Sequence, residues 1–402
     1  MWEQIRSNKN RSMVLVAGMG VMLLLIGYLV GIIFLDNGMG GLIIAFIVWG
    51  IMSLIAYYQG DSILLGLAGA RKISHDDHPR LYNIVEEMKI ASGLEKVPDI
   101  YIIDDPAPNA FAVGRNPDKA AVAITTGLLQ KLNRDELQGV IGHEIAHIKN
   151  RDVLLMAIAS VLLGTIVILA WYASRFMLFG GMGRSRSSSS SGGGGGAQII
   201  VLVAAIALMI LAPILAQLIY FAISRKREYM ADASSALYTR YPEGLASALE
   251  KIAASTSQLK SANQATAPMY IMNPFRKEKR PASNLTSTHP PISERVRILR
   301  SMGGASFADY ERVYQKVHGV GKGVIPASAL ALSHPTSLRA AEAGAAPQEP
   351  DKTERVRETS NLMWQLGNYK TITCDCGTKL RVPPKFKEPA VRCPHCGRTN
   401  PV

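Results

Sequence analysis

The chain has 402 residues, 44 Lys+Arg against 31 Asp+Glu, and 48% hydrophobic residues. Its four cysteines, at 374, 376, 393 and 396, sit together near the C-terminus, which excludes a disulfide framework spread through a small secreted domain. The formal charge of +13 suits either nucleic acid or a cytoplasmic face beside anionic lipid, and the placing of the apolar residues decides for the membrane.

Met13 to Leu35 and Gly38 to Tyr58 contain no charged residue. Two more uncharged runs cover Val153 to Ser174 and Ser187 to Ser224, the latter apolar from Ile199 onward. About 20 apolar residues are needed for a helix to cross the hydrocarbon core, so about four membrane helices are expected. The first run is too long for a cleavable signal peptide, and a second follows almost at once. Arg6, Lys9 and Arg11 precede the first run, Arg71 and Lys72 follow the second, and Arg225, Lys226 and Arg227 follow the fourth. This bias puts those flanks in the cytoplasm. Arg175, Arg184 and Arg186 oppose it, lying in the connection that this topology places outside. A shallow or re-entrant hairpin would still leave both flanks on one side. Ser187–Ser191 and Gly192–Gly196 form a flexible linker.

Between the second and third runs, residues 77–96 read as an amphipathic helix with Leu81, Ile84, Val85 and Met88 on one face. Pro98–Ile103, Phe111–Gly114 and Ala120–Ile124 read as strands, the last two joined through Asn116-Pro117-Asp118. Thr126 is placed to cap a short helix through Leu132. Asn133 and Glu136 form a capping box that opens a helix from Arg134 to Asn150. After the fourth run come helices at 225–236, 241–253, 292–301 and 308–317, with mostly loop over 262–288. The division this predicts is an N-terminal membrane hairpin (1–60), the first part of a soluble domain (61–152), a second apolar hairpin (153–224), the rest of the soluble domain (225–318), a linker (319–365) and a cysteine unit (366–402).

The strongest chemical signal is His143-Glu144-Ile145-Ala146-His147. On a helix, residues four apart share a face, so both imidazoles can meet one zinc ion, with Glu144 positioned to take a proton from a zinc-bound water. Catalytic zinc commonly takes three protein ligands. The best third is Glu228, in Ser224-Arg225-Lys226-Arg227-Glu228-Tyr229-Met230-Ala231-Asp232. Asp232, one turn further on, is placed to accept a hydrogen bond from a ligand histidine. His75, His78, His318 and His334 stand in polar or linker contexts and are expected to be solvated.

With these residues in hand, roughly residues 1–300 resemble the HtpX-type membrane-integrated zinc metalloproteases, relatives of the CAAX prenyl proteases. The resemblance rests on the two N-terminal spans, Asn109-Ala110-Phe111-Ala112, the HExxH at 143–147, the two further apolar runs, the segment ending at Asp232, and Thr288-His289-Pro290. It implies a mainly α membrane protein with a gluzincin-like α+β zinc protease domain. His143, His147 and Glu228 resemble the zinc ligands, Glu144 the general base and Asp232 the orienting acid. Asn109, Ala110, Phe111 and Ala112 resemble the edge strand that pairs with an extended substrate. His289 resembles a residue near the cleft that stabilises the oxyanion, and a structural histidine before Pro290-Pro291 is the competing reading. The implied work is cleavage of misfolded or damaged membrane proteins, or unfolded peptides, in a prokaryotic inner membrane with the site facing the cytoplasm. CAAX-type processing is the alternative, and a non-catalytic membrane scaffold the reading from another class.

Cys374-x-Cys376 and Cys393-x-x-Cys396 are separated by sixteen residues and have zinc-ribbon spacing, with Gly377 and Gly397 behind each pair. So small a unit buries little core, and a structural zinc would supply its folding energy. Lys379, Arg381, Lys385, Lys387, Arg392 and Arg398 make it basic, but no set of aromatics interleaves them. Protein docking or contact with the lipid bilayer is therefore expected ahead of nucleic acid.

Overall fold

The computed structural model describes residues 2–154, 225–260, 267–272, 289–321, 323–339 and 349–402, with the single positions 171, 206, 210 and 214. Almost all of the third and fourth uncharged runs, and the Ser/Gly connection, lie outside the described residues.

Helices α1 (Trp2–Leu35) and α2 (Gly38–Leu67) form a hairpin about Asp36 and Asn37, where Asn37 caps α2 by accepting from Gly40 N. Among the described residues α2 is the helix long and apolar enough to cross a membrane, while α1 holds the shorter apolar stretch Val16–Ile32. Small residues let the two helices touch. A Cβ on Gly27 would fall 2.2 Å from that of Ala45, and one on Gly31 2.7 Å from the Cα of Gly41.

The domain that follows the hairpin is built on a four-stranded sheet in the order β1-β2-β4-β3. The strands are β1 (Arg71–Ile73), β2 (Asp99–Ile103), β3 (Ala110–Gly114) and β4 (Ala120–Thr125), with β2 and β4 parallel and the outer pairings antiparallel. β1 goes unread in the sequence because it is three residues long and begins with two exposed cations. One sheet face, carrying Ile100, Ile102, Ala110, Ala112, Val122 and Ile124, packs in the main core. The other, with Phe111, Val113, Ala121 and Ala123, rests on Leu64, Leu65 and Ala68 at the end of α2 and on Tyr270. Burial on both faces explains why β4 is apolar from Ala120 to Ile124 rather than alternating.

α3 spans Pro79–Ser92, shorter than the 77–96 expected. Pro79 suits the first helical position, and Gly93 stops the helix in the left-handed region at φ 70°. α4 is Thr126–Lys131, capped by Thr125 rather than Thr126, whose hydroxyl donates to Asp105 O instead. α5 spans Arg134–Lys149 with the expected Asn133–Glu136 capping box. Residues 225–239 form α6 and Pro242–Ala253 form α7. α5 and α7 cross so closely that a Cβ on Gly139 would lie 2.6 Å from Leu245 N. α8 (Ile292–Arg300) and α9 (Phe307–His318) complete the core.

The expected linker holds ordered structure. Ala327–Ala331 form α10, and Lys352–Leu366 form α11, opened by an Asp351–Glu354 capping box. A broad excess of Ala, Gly and Pro masked that local start signal. Two hairpins follow, β5 (Lys370–Thr373) with β6 (Lys379–Val382), and β7 (Ala390–Arg392) with β8 (Thr399–Pro401).

Two histidines expected in solvent are packed instead. His318 stacks 4.2 Å from the Tyr314 ring, and its Nε2 lies 2.7 Å from Glu294 Oε1. His78 is buried and caps α3, its Nδ1 accepting from Leu81 N at 3.2 Å. Burial, helped by Arg80, lowers its pKa from 6.5 to about 4. The unfolded chain therefore takes up this proton first. The stabilisation is complete above pH 6.5 and is lost as pH falls toward 4, about 3 kcal/mol in all. His78→Asn keeps a capping acceptor without titrating. Denaturation measured between those pH values should show a flatter pH dependence for the variant than for the parent.

Candidate metal centre and substrate edge

α5 carries His143, Glu144 and His147, and α6 brings Glu228 to meet them. The two imidazole Nε2 atoms are 3.2 Å apart. Glu228 Oε2 lies 3.4 Å from Nε2 of His143, and Oε1 lies 3.5 Å from Nε2 of His147. One ligand atom from each of the three falls within 4.8 Å of the others.

The residues behind them fix their orientation. Asp232 Oδ1 is 3.0 Å from His143 Nδ1, and Asp152 Oδ2 is 3.2 Å from His147 Nδ1. Each carboxylate turns its ring so that Nε2 faces the cluster. Arg295, wholly buried, donates to Asp232 from Nε at 2.8 Å and Nη2 at 2.7 Å, and its Nη1 is 3.7 Å from Glu228 Oε2. His289 is also here, its Nε2 3.5 Å from Glu228 Oε2.

This donor set fits a zinc ion. Two imidazole nitrogens and a carboxylate converge with no intervening residue, and Glu228 Oε2 is buried without an aligned hydrogen bond. The surrounding acids favour positive charge there. Burial alone would strip the proton from His143, yet the nearby carboxylates of Asp232 and Glu228 raise its pKa to about 9. A cation bound by this imidazole takes that proton's place. Burial would raise Glu228, but His289, His143 and His147 hold it well below the usual carboxylate range. Glu144, also buried, is pushed up by desolvation.

Of the residues predicted from sequence, His143, Glu144, His147, Glu228, Asp232 and His289 come together in this pocket. Sequence reasoning missed Asp152. It follows the helix end, where Arg151 at φ 57° folds the chain back, so no helical spacing pointed to it. The grip of Arg295 on Asp232 appears only in three dimensions.

Asn109–Ala112 enters β3, an edge strand of the sheet. Asn109 O accepts from Thr125 N, toward β4, whereas Ala110 O points outward and accepts from Ile271 N at 2.9 Å. The Asn109 side chain binds the same strap, donating to Met272 O and accepting from Met272 N. Tyr270 anchors the strap, its ring 4.9 Å from that of Phe111. The start of the edge is thus already paired, and by the two-residue alternation the outward groups further along belong to Ala112 and Gly114.

The four cysteines form a second cluster. Their Sγ atoms lie within 4.8 Å of one another, with Cys374 3.5 Å from Cys396 and Cys376 3.7 Å from Cys393. Gly377 and Gly397, at φ 81° and 75°, make the turns that bring each pair inward.

A family model described as Peptidase family M48 matches residues 75–303. A protein described as Protease HtpX homolog from Dictyoglomus turgidum is 45% identical over 302 residues, covering 75% of this chain and 95% of that protein. Another so described, from Streptococcus gordonii, is 42% identical, covering 75% of this chain and 100% of that protein. The solved structure of Ste24p from S. mikatae is similar at 18% identity and a TM-score of 0.40, covering 74% of this chain and 67% of that one.

Proposed function

This chain belongs to peptidase family M48 and is a membrane metalloprotease, and on that premise we propose that it cuts misfolded or damaged membrane proteins on the cytoplasmic side of a prokaryotic inner membrane. The observation that carries this reading is the convergence of His143, His147 and Glu228 beside a buried Glu144. Those three residues would hold zinc, which when bound supplies Lewis acidity toward a water and a peptide carbonyl. Glu144 takes a proton from the attacking water and returns it to the leaving nitrogen. His289, kept neutral because burial lowers its pKa to about 4, donates an N–H to the oxygen that gains charge. Asp232 and Asp152 hold the ligand imidazoles in place. The outward groups of Ala112 and Gly114 pair with an extended main chain, which selects unfolded segments over particular side chains.

The test is incubation of the purified protein and zinc with an unfolded membrane protein, and separately with a prenylated CAAX peptide. Cleavage of the first supports the reading, and cleavage of the second alone overturns the substrate class. Sidedness is read from a cysteine placed at exposed Lys96. It should react with an impermeant reagent only in opened cells, as scored by mass spectrometry of that peptide.

The cysteine cluster has the donors of a second zinc site. Metal analysis should therefore give two zinc ions per chain. His143→Ala and Cys376→Ser should each lower this to one, and both together to none. A parent protein with one zinc would contradict either site.

A further inference from the structure

The family match ends at residue 303, and the relatives align over 75% of this chain although 95% and 100% of their own length is covered. The segment beyond 303 is thus an addition in this chain, and much of it gathers at one place. Arg339 pairs through Nη2 with the Asp135 carboxylate. Glu349 Oε1 accepts from Arg134 N. Arg355 Nε donates to Gln130 O at 3.3 Å, and α11 packs along α4. These contacts fall on the first turn of α5 and on the short helix before it.

The first N–H groups of a helix lack intrahelical partners. In α5, Asn133 accepts from Glu136 N, and Glu349 supplies an acceptor for Arg134 N. Arg339 balances the charge of Asp135. From Arg134 to His143 the helix is continuous, about 14 Å at the usual rise. A shift of its first turn is carried to the ligand face.

We propose that Arg339 and Glu349 are positioning residues for catalysis, clamping the first turn of α5 from the C-terminal extension so that His143, Glu144 and His147 stay in register with Glu228. The proposal rests on the reading of α5 as the catalytic helix. It is tested in the full chain with the Arg339→Ala/Glu349→Ala double variant. kcat should fall about tenfold with KM little changed, since small misplacements cost rate rather than binding. Amide hydrogen exchange over residues 134–142 should quicken at the same time. Glu349→Gln retains an acceptor oxygen and should keep near-parental kcat, whereas Glu349→Ala should not. That single pair serves if the double variant fails to fold.

If the extension only stabilises, the double variant has a lower unfolding temperature while its kcat well below that temperature is unchanged, and this result overturns the proposal. So does unaltered exchange at residues 134–142, or equal loss in Glu349→Gln and Glu349→Ala. Should the parent protein prove inactive, the protease reading fails, and the exchange measurement still decides whether the clamp exists.

Discussion

Glu144→Gln lowers peptide-bond hydrolysis by about 10²–10⁴-fold, the usual worth of a positioned base, while its zinc content stays at the parental level. Gln fills nearly the same volume but cannot take a proton. His143, His147 and Glu228 keep their donors, so the metal site is untouched. The parental carboxyl is buried, and desolvation raises its pKa. That brings it nearer to neutral pH, where a base serves best. Activity should fall on the acid side as Glu144 takes up a proton. A peptide-release assay paired with metal analysis checks both halves. Parental activity in the variant would remove Glu144 from the mechanism, and loss of zinc would reassign it to the metal site.

Arg295→Ala costs about 3–5 kcal/mol of stability, the scale for breaking a buried ion pair by removing one partner. Its guanidinium has no exposure and holds both oxygens of Asp232. Without it, Asp232 must stay charged and unpaired or bind a proton, and either change releases its hold on His143. Burial alone would raise the Asp232 pKa, but Arg295 and His143 keep it depressed. The stabilisation is therefore present above about pH 4 and lost as pH falls through the folded value. Thermal unfolding in detergent checks the size of the effect. Arg295→Lys should recover only part, since an ammonium cannot make the two-pronged contact. A loss below about 1 kcal/mol for Arg295→Ala would mean that the pair is not what holds this corner together.

The HExxH pair was legible because both its spacing and its capping box are local. Glu228 became legible once a second helix with an acid one turn from another was set beside it. The remainder depends on distant contacts. Asp152 reaches His147 through a left-handed residue that no periodicity announces. Arg295 reads as ordinary charge on a short helix until α6 is packed against it. Tyr270 to Met272 lie in a stretch read as loop, and only the pairing of Ile271 with Ala110 shows that they close part of the β3 edge. His318 looks polar in sequence because two of the groups that pack it, Glu294 and Tyr229, come from other helices.

α2 does not stop at the end of its apolar stretch. It runs on through Leu64 and Leu65, which are wedged beneath β3 against Phe111 and Val113, and Arg115 just past that strand sits 5.6 Å over the Tyr58 ring. No swivel separates the apolar half of this helix from β3, the strand proposed to receive a substrate. A bilayer of different thickness changes the tilt of a spanning helix, and here that lean passes straight to β3. β3 rides on the helix like a blade on its handle, so on the proposed function its height above the lipid would follow the membrane itself. On the proposed function, lipid acyl-chain length is expected to be a variable of the cutting position, even where the target sequence is unchanged.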